Sequence, residues 1–242
     1  MKVVVADKYK AYTHFISRIP VMMEGDEGQL LFKKRNTVKL FTYKGHQFVV
    51  KQYKRPYLFQ RVVYTFFRPT KTERAFKYAA EYRRRGISTP QEIAYIECKK
   101  WGFFTTGYFV SEPAVGNSVF DFVLPFPIYD KNLIKAVVGV IVKMHTNGIF
   151  HGDLNTANFL FTKNGELDYD ITVIDLNRSH LYNKPLTRNQ CLEDLKRFTH
   201  RPDLYRFAMT YYAELRHWCQ DEFVADALIR LQRFEHRKFK IK

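Results

Sequence analysis

The chain has 242 residues and a formal net charge of +16, from 40 Lys and Arg against 24 Asp and Glu. Apolar residues make up 46% of it, with 11 Gly and 9 Pro, which excludes a disordered or fibrous protein and predicts a sizeable buried core. The positive charge predicts an anionic partner: nucleic acid, an anionic membrane face or a phosphorylated substrate. Cys98, Cys191 and Cys219 form no C-x-x-C pair, which favours a reducing compartment.

The apolar segments predict neither a signal peptide nor a membrane span. The amino end, "MKVVVADKYKAYTHF", has three valines before charge returns, which is too short for the apolar region of a signal peptide. The longest apolar run with a helical pattern, "AVVGVIV", is far shorter than a membrane-spanning helix. We therefore expect a cytoplasmic protein, with peripheral contact to the inner face of a membrane left open.

The first half of the chain reads as strands interrupted by one helix. Residues 30–53 predict three strands, with Gly45 in the second turn. The segment "FRPTKTERAFKYAAEYRRRG" predicts a helix that Thr70 or Thr72 caps and that Gly86 ends. "EIAYIE" and "GFFTTGYFVS" then predict two more strands joined by a turn.

The second half is mostly helical. "DKNLIKAVVGVIVKMHTNG" predicts a helix with Asp130 as its cap and Gly148 as its end, and one apolar face. A hairpin, "NFLFTKNGELDYDITVID", follows, and the chain after about residue 188 looks helical. The pattern predicts an α+β fold with a strand-rich lobe at residues 1–112 and a helical lobe at residues 113–242. The residues of the apolar helix face are Leu133, Ile134, Val137, Val138, Ile141 and Met144.

Two segments, "HGDLNTANFLF" and "ITVIDLNRSH", place polar residues between apolar runs. Asp153 and Asn158 have the spacing of the protein-kinase catalytic loop, H-R-D-L-x-x-x-N, with Gly152 in place of Arg. Phosphoryl transfer needs a carboxylate at the attacking hydroxyl and oxygen ligands for magnesium. Asp153 is the candidate for the first role, and the hairpin would bring Asn158 and Asp175 side by side for the second. His151 is expected to brace the loop. Taken singly, each of these residues could instead be a cap or an Asx turn.

A kinase also needs a strand lysine for the phosphates and a helix carboxylate to hold that lysine. Lys51 follows two valines in "HQFVVKQYK", as in V-A-I-K, and Lys54 is the alternative. For the carboxylate we favour Glu73 over Glu81, because Glu73 lies nearer the helix face expected to pack inward. The alternative for Glu73 is a surface ion pair with Lys77 at i+4.

Three departures from protein kinases stand out. No G-x-G-x-x-G lies between the first two strands, where "FKKRNTV" offers backbone N–H groups and Lys33, Lys34 or Arg35 instead. The motif after the second carboxylate reads D-L-N, and no A-P-E follows it. Only 67 residues remain beyond Asp175, so we expect no large lobe for peptide substrates. The sequence therefore points away from an ordinary protein kinase.

The segment "KQYKRPYLFQRVVYTFFRPTKTERAFKYAAEYRRRGISTPQEIAYIE", with "HGDLNTANFLF" and "VIDLNRS", resembles the bacterial lipopolysaccharide kinases over roughly residues 30–180. The resemblance implies a protein-kinase-like, two-lobed fold, with a small antiparallel sheet and one main helix preceding a compact helical lobe. It implies ATP- and Mg²⁺-dependent phosphorylation of Kdo or heptose in the inner core. By the same resemblance, Asp153 is the catalytic aspartate, Asn158 and Asp175 are the magnesium ligands, and Lys51 binds the phosphates.

The expected partner is an anionic glycolipid, Kdo-lipid A or core lipopolysaccharide, at the inner face of the cytoplasmic membrane, which suits the charge of +16. No specific nucleic acid is expected. Two alternatives stay open: a soluble small-molecule kinase resembling the aminoglycoside and choline kinases, and a catalytically silent kinase-fold binding protein. The basic and aromatic segment at residues 54–71 either docks on a membrane surface or packs its rings into the first lobe.

Overall fold

The structure, a computed structural model, describes residues 1–34, 36–53, 57–124 and 128–239. The chain divides into two compact units, and the segment Arg85–Ser88 belongs to the second of them although residues on both sides of it belong to the first. Unit 1 comprises Met1–Arg84 and Thr89–Ala114, and unit 2 comprises Arg85–Ser88 and Val115–Lys242. The predicted boundary between residues 112 and 113 stays a prediction.

Unit 1 is built on an antiparallel sheet with strand order β1-β5-β6-β4-β3-β2. All five strands predicted from the sequence are present. The strands are β1 (Lys2–Val5), β2 (Gln29–Lys33), β3 (Thr37–Tyr43), β4 (His46–Gln52), β5 (Glu92–Lys100) and β6 (Phe103–Ser111). The helices are α1 (Thr13–Glu24), α2 (Leu58–Phe66) and α3 (Lys71–Arg84).

The two faces of this sheet carry different helices. The helix α1 packs on a core of apolar side chains that alternate along the strands, because successive side chains of a strand point to opposite faces. The helix α3 lies on the other face, where a Cβ added at Gly107 would come within 2.8 Å of Thr72 Cγ2. The core residues from the central strands include Phe48, Val50, Ala94, Ile96, Tyr108 and Val110.

The predicted helix is α3, and its ends follow the predicted signals. Thr70 Oγ1 accepts a hydrogen bond from the Glu73 N–H at 3.1 Å, which satisfies one of the unpaired donors of the first turn. Gly86, just beyond the end, has φ +73°. The resemblance implied one main helix in this lobe, and the structure adds α1 and α2 to it. The helix α1 was not predicted from the sequence, because Pro20 lies inside it.

Unit 2 combines a small sheet with a set of packed helices. The strand order of its sheet is β10-β9-β7, and β8 pairs with β11. The strands are β7 (Asn117–Ser118), β8 (Ile149–Phe150), β9 (Phe159–Lys163), β10 (Tyr169–Val173) and β11 (His180–Leu181). The helices are α4 (Val119–Val123), α5 (Lys131–Thr146), α6 (Arg188–Leu195), α7 (Pro202–Leu215) and α8 (Gln220–Phe239).

The helix α5 is the element on which the rest of unit 2 is arranged. Asp130 caps it as predicted, because its Oδ1 accepts hydrogen bonds from Asn132 N–H at 2.7 Å and Leu133 N–H at 3.2 Å. All six residues of the predicted apolar face are buried. They lie in the core that α5 shares with α7 and β10. Among the described residues, no helix has both the length and the apolar character that a membrane span requires.

Candidate active site

The β9–β10 hairpin brings two of the predicted site residues to the same end of its ladder. Phe159 pairs with Val173 in the antiparallel register. Asn158 precedes the first strand, and Ile174 N–H donates to the Asn158 carbonyl oxygen at 2.9 Å. Asp175 is the next residue. The hairpin therefore places Asn158 and Asp175 as neighbours, as its register predicts.

The Asn158 side chain is buried and its amide orientation is fixed. Its Nδ2 donates to the carbonyl oxygen of Asp153 at 2.7 Å, so Oδ1 is the atom that can accept a metal ion. Asp175 has φ 60° and ψ 50°, a left-handed conformation that is uncommon for a residue other than glycine. Asn177 Nδ2 donates to its Oδ1 at 2.6 Å. Strained backbone of this kind persists where the surroundings enforce it, often at functional sites.

His151 braces the loop, as expected from the sequence. The ring is fully buried, its Nδ1 accepts from the Asp153 N–H at 3.3 Å, and its Nε2 lies 3.2 Å from the Ile174 carbonyl oxygen. A neutral imidazole with its proton on Nε2 satisfies both contacts. His151 thus ties the loop that carries Asp153 to the strand end that precedes Asp175.

Asp194, on α6, holds the same loop through hydrogen bonds to its backbone. This residue was not identified from the sequence. Its Oδ2 accepts from His151 N–H at 2.6 Å and its Oδ1 from Gly152 N–H at 2.8 Å. The carboxylate is fully buried. The available signal was weak: Asp194 shares a helix face with the apolar Cys191 and Leu195, where a carboxylate is unexpected.

A histidine compensates the buried charge of Asp194. His145 Nε2 lies 3.4 Å from Asp194 Oδ2, and its Nδ1 lies 2.8 Å from the Tyr212 hydroxyl. Burial disfavours the charged ring, but the contacts with Asp194 and Cys191 outweigh it and raise the pKa of His145 to about 9. The loop therefore rests on a buried carboxylate–imidazolium pair.

The Asp153 carboxylate lies between two arginines that were not predicted either. Arg178 Nη1 is 3.2 Å from Oδ2, and Arg197 Nη1 is 3.9 Å from Oδ1. The carboxylate is 27% exposed, so it can reach a bound molecule. The guanidinium groups orient it and bring positive charge to the place where an anionic substrate would lie.

Gly152, which replaces the arginine of the kinase motif, is required by the backbone. Its φ is +77°, and an added Cβ would come within 2.5 Å of the Arg178 carbonyl oxygen. Glycine alone adopts this conformation without strain and allows such a close approach. The departure from H-R-D thus has a local structural cause.

A cavity of about 270 Å³ opens beside Asp153 within unit 2. Four aromatic or aliphatic residues supply most of its wall surface, and polar or charged groups, including Asp153, Arg197 and His200, complete it. The lining residues are Phe120, Leu124, Asp153, Asn155, Thr156, Arg197, Phe198, Thr199, His200 and Phe234. Such a wall, with a few placed polar groups, is typical of a small-molecule site.

Lys51 lies in unit 1, on the central strand β4. It pairs in register with Val38 on one side and Phe109 on the other, and its Nζ lies 5.3 Å from the centre of the Tyr53 ring. The alternative, Lys54, lies outside the described residues, as does Arg35 of the β2–β3 turn.

The predicted helix carboxylate has another partner. Glu73 accepts from Lys77 Nζ at 2.6 Å, the i+4 ion pair that was its alternative explanation. Glu81 receives two hydrogen bonds from Arg84, at 2.6 and 2.7 Å. The role of Glu73 as the partner of Lys51 gains no support from these contacts and stays a prediction.

Comparison with known families shows to which family the chain belongs. The model of the lipopolysaccharide kinase (Kdo/WaaP) family matches residues 32–215, well over half of the chain. The chain belongs to the lipopolysaccharide kinase family. Membership in this family makes the chain a phosphotransferase of the lipopolysaccharide core. The matched range contains all five predicted site residues and Asp194.

Solved structures confirm that this lipopolysaccharide kinase has a protein-kinase-like fold. A structure described as WaaP in complex with acyl carrier protein aligns with a TM-score of 0.62 and 18% identity, covering 99% of each chain. The Rio2 kinase-ADP/Mg²⁺-phosphoaspartate complex from Chaetomium thermophilum aligns with a TM-score of 0.53 and 14% identity, covering 99% of this chain and 82% of that one. No curated protein sequence matches the chain.

The donor atoms of Asn158 and Asp175 suit magnesium. Within the described ranges, no three or more His, Cys, Asp or Glu side chains are grouped so that they could hold a metal ion. Asn158 Oδ1 and the Asp175 carboxylate are hard oxygen donors, and Mg²⁺ is usually held by one or two such groups together with substrate phosphates. The residues present therefore fit Mg²⁺ bound with a nucleotide.

Proposed function

We propose that this lipopolysaccharide kinase transfers a phosphoryl group from ATP, with Mg²⁺, to a hydroxyl of an inner-core sugar, Kdo or heptose. The observation that carries the proposal is the junction of the loop and the hairpin. There the Asn158 amide binds the Asp153 carbonyl, and the strand pairing sets Asp175 beside Asn158. These are the oxygen donors that phosphoryl transfer needs, in the order that kinases use.

In this proposal each residue has one task. Asn158 Oδ1 and the Asp175 carboxylate would hold Mg²⁺, which supplies positive charge against the phosphates. Asp153 accepts or orients the proton of the sugar hydroxyl, so that the oxygen attacks in line. His151 and Asp194 keep Asp153 in place through the loop backbone.

The nucleotide side of the proposal rests on unit 1. Lys51 would bind the α- and β-phosphates, and Glu73 remains the proposed helix carboxylate that holds it. In place of a glycine-rich loop, the exposed side chains of Lys33 and Lys34, at the end of β2, would cover the phosphates. A basic cover of this kind supplies charge where the glycine loop supplies close backbone approach.

The cavity beside Asp153 is the proposed acceptor site. The inner-core acceptor, Kdo-lipid A or core lipopolysaccharide, carries carboxylate and phosphate groups, which Arg197 can bind through two parallel hydrogen bonds. The aromatic walls, including Phe198 and Phe234, can contact the apolar faces of a sugar ring. A substrate of this kind places the enzyme at the inner face of the cytoplasmic membrane.

Incubation of the protein with ATP, Mg²⁺ and Kdo-lipid A tests the proposal by mass spectrometry of the lipid. We expect the gain of one phosphate, and a loss of about 10²-fold or more in rate for Asp153→Asn, which removes the general base. Asp170→Asn is the matched control, because Asp170 is an exposed carboxylate on the same hairpin. Transfer to lipid at the wild-type rate by Asp153→Asn would exclude the assigned mechanism, and transfer to a hydroxyl of a soluble aminoglycoside or choline alone would exclude the lipid substrate.

A further inference from the structure

Four large aromatic side chains of unit 1 are exposed on two neighbouring segments. Phe66 and Phe67, at the end of α2, are 66% and 77% exposed, and Trp101 and Phe103, at the β5–β6 turn, are 89% and 42% exposed. We call these four residues the aromatic tip. Each ring costs free energy in water, and contiguous apolar surface of this kind usually marks an interaction site.

The two segments are fixed to each other. The rings of Phe66 and Phe103 meet edge to face at 6.2 Å, and Phe66 contacts Phe67 at 6.4 Å. Thr65 Oγ1 accepts a hydrogen bond from the Phe104 N–H at 3.0 Å, which ties α2 to the start of β6. Phe66, Phe67 and Phe103 therefore form one preformed surface, and Trp101 lies two residues before Phe103 in the turn that leads into β6.

The conformation of Trp101 is unexpected for a residue with only a structural role. Trp101 and Gly102 have φ of 52° and 81°, the positive pair typical of a type I′ hairpin turn. Asn, Asp and Gly favour the first of these positions, and a bulky residue there costs about 1 kcal/mol. The folded chain gains little from this residue, because its ring is almost wholly in solvent. A strained, exposed tryptophan points to a function outside the fold.

The surroundings of the aromatic tip are cationic. Lys99, Lys100 and Arg68 are exposed beside it, and Lys100 Nζ lies 5.6 Å from the Trp101 ring. The nearby carboxylates are already engaged: Glu97 accepts from Thr70 Oγ1 at 2.6 Å, and Glu73 pairs with Lys77. The complementary partner is therefore negatively charged and tolerates protruding rings.

We propose that the aromatic tip inserts into the interfacial region of an anionic bilayer, with Lys99, Lys100 and Arg68 on the lipid phosphates. Tryptophan and phenylalanine are favoured at that depth, and each lysine or arginine near an anionic surface strengthens binding. Rings that protrude from a hairpin turn and a helix end can enter a fluid interface without a matching groove, which a folded protein partner would have to supply. This inference deepens the proposed function. It rests on that function only in taking a membrane as the anionic partner of the aromatic tip.

Tryptophan fluorescence can report insertion directly, because Trp101 and Trp218 are the two tryptophans of the chain. Trp218 packs against Tyr212 and Phe223, so Trp218→Phe keeps an aromatic ring there and leaves Trp101 as the single probe. With vesicles containing phosphatidylglycerol we expect a blue shift of the emission and quenching by brominated acyl chains. With phosphatidylcholine vesicles we expect neither.

Co-sedimentation with the same vesicles tests the aromatic tip as a whole. The triple variant Phe66→Ser, Phe67→Ser, Trp101→Ser should lose about tenfold or more of the vesicle affinity, since three partly inserted rings are removed. Val115→Ser with Leu167→Ser is the control, because both residues are exposed in unit 2, at 72% and 67%. Unchanged circular dichroism would show that each variant is folded.

Three results would overturn the proposal: undiminished vesicle binding by the triple variant, an unshifted Trp101 emission, or binding of the aromatic tip to an acidic protein in place of vesicles. Phosphorylation of a detergent-solubilised acceptor separates this proposal from the proposed function. The triple variant should keep that activity, because the acceptor no longer lies in a bilayer. If the wild-type protein failed to phosphorylate any acceptor, the proposed function would be wrong, but its binding to vesicles would still support this proposal.

Discussion

At the scale of single residues, the buried pair of Asp194 and His145 explains how the loop stays in place. A carboxylate with no exposed surface is costly unless charge and hydrogen bonds compensate it. Two backbone N–H groups and the His145 ring do so here. Removal of either side chain would leave the other buried without its oppositely charged partner, so the loop that carries Asp153 depends on a fully buried pair.

The His145 pKa makes stability depend on pH in a defined direction. Its folded-state pKa is about 9, against 6.5 for an ordinary histidine. The folded state therefore binds the proton more tightly, and the stabilisation is complete below pH 6.5 and is lost as the pH rises through 9. The full difference corresponds to about 3 kcal/mol. Urea unfolding between about pH 6 and about pH 9.5 should show this fall in the free energy of unfolding.

Two variants test this assignment. His145→Gln should be less stable at pH 6 and should lack this pH dependence. Cys191 would act in the opposite direction. Burial of its thiol opposes ionisation, but the contact with His145 dominates and lowers the Cys191 pKa. The stabilisation that Cys191 contributes would therefore be lost as the pH falls. The other facing groups are Tyr212 and Arg216. A stability that rises with pH, or a flat profile in Cys191→Ser, would refute the role of His145.

At the scale of elements, the loop that carries Asp153 and the turn after β10 approach each other closely at Gly152. Gly152→Ala should push the loop away from Arg178, because an added Cβ lies 2.5 Å from its carbonyl oxygen and φ is +77°. We expect about 1–3 kcal/mol of destabilisation and a fall of about tenfold or more in kcat, since Asp153 moves with the loop. Thermal unfolding and steady-state kinetics measure the two effects.

Gly165→Ala is the matched control for that variant. Gly165 also has a positive φ, +95°, but an added Cβ there has no neighbour within 4 Å. It should show the backbone cost alone, with a lower Tm and an unchanged kcat. A Gly152→Ala enzyme with the same kcat as Gly165→Ala would show that the contact with Arg178 does not position Asp153.

The elements themselves were largely predictable because their signals are local. Asp130 as a cap, the apolar face of α5, and the β9–β10 hairpin depend on residues a few positions apart. The elements at the start of the chain were harder to predict. β1 is only four residues long, and α1 contains Pro20, so neither has a clear local pattern.

The candidate site was predictable only in part, for the same reason. Asp153, Asn158 and Asp175 lie in motifs, whereas Arg178 and Arg197 become visible only when the chain is folded. Asp194 contacts Gly152 across 42 positions, and no sequence pattern encodes such a contact. The helical wheel favoured Glu73 as the partner of Lys51 and the i+4 spacing offered Lys77 as its partner instead, and the sequence could not decide between the two.

At the scale of the whole molecule, each unit has its own buried core, and the charge is spread over a chain with 16 more cations than anions. A net charge of this size contributes little to the choice of fold, but it raises the local concentration of anionic ligands and steers their approach. The positive charge is complementary to the substrate of the lipopolysaccharide kinase family, since the lipopolysaccharide core is anionic. The charge and the cavity beside Asp153 thus favour the same kind of acceptor.

This electrostatic contribution should appear as a dependence of KM on salt. The Debye length falls from about 10 Å at 0.1 M salt to about 3 Å at 1 M, which screens the long-range attraction but leaves the contacts of Asp153 largely intact. For Kdo-lipid A in neutral detergent micelles, we expect KM to rise about tenfold or more between low and high NaCl, with little change in kcat. Free Kdo, with one carboxylate, is the matched acceptor and should show a much weaker dependence. Equal salt dependence for both acceptors, or a salt effect confined to kcat, would show that the positive charge of the chain serves some purpose other than capture of the glycolipid.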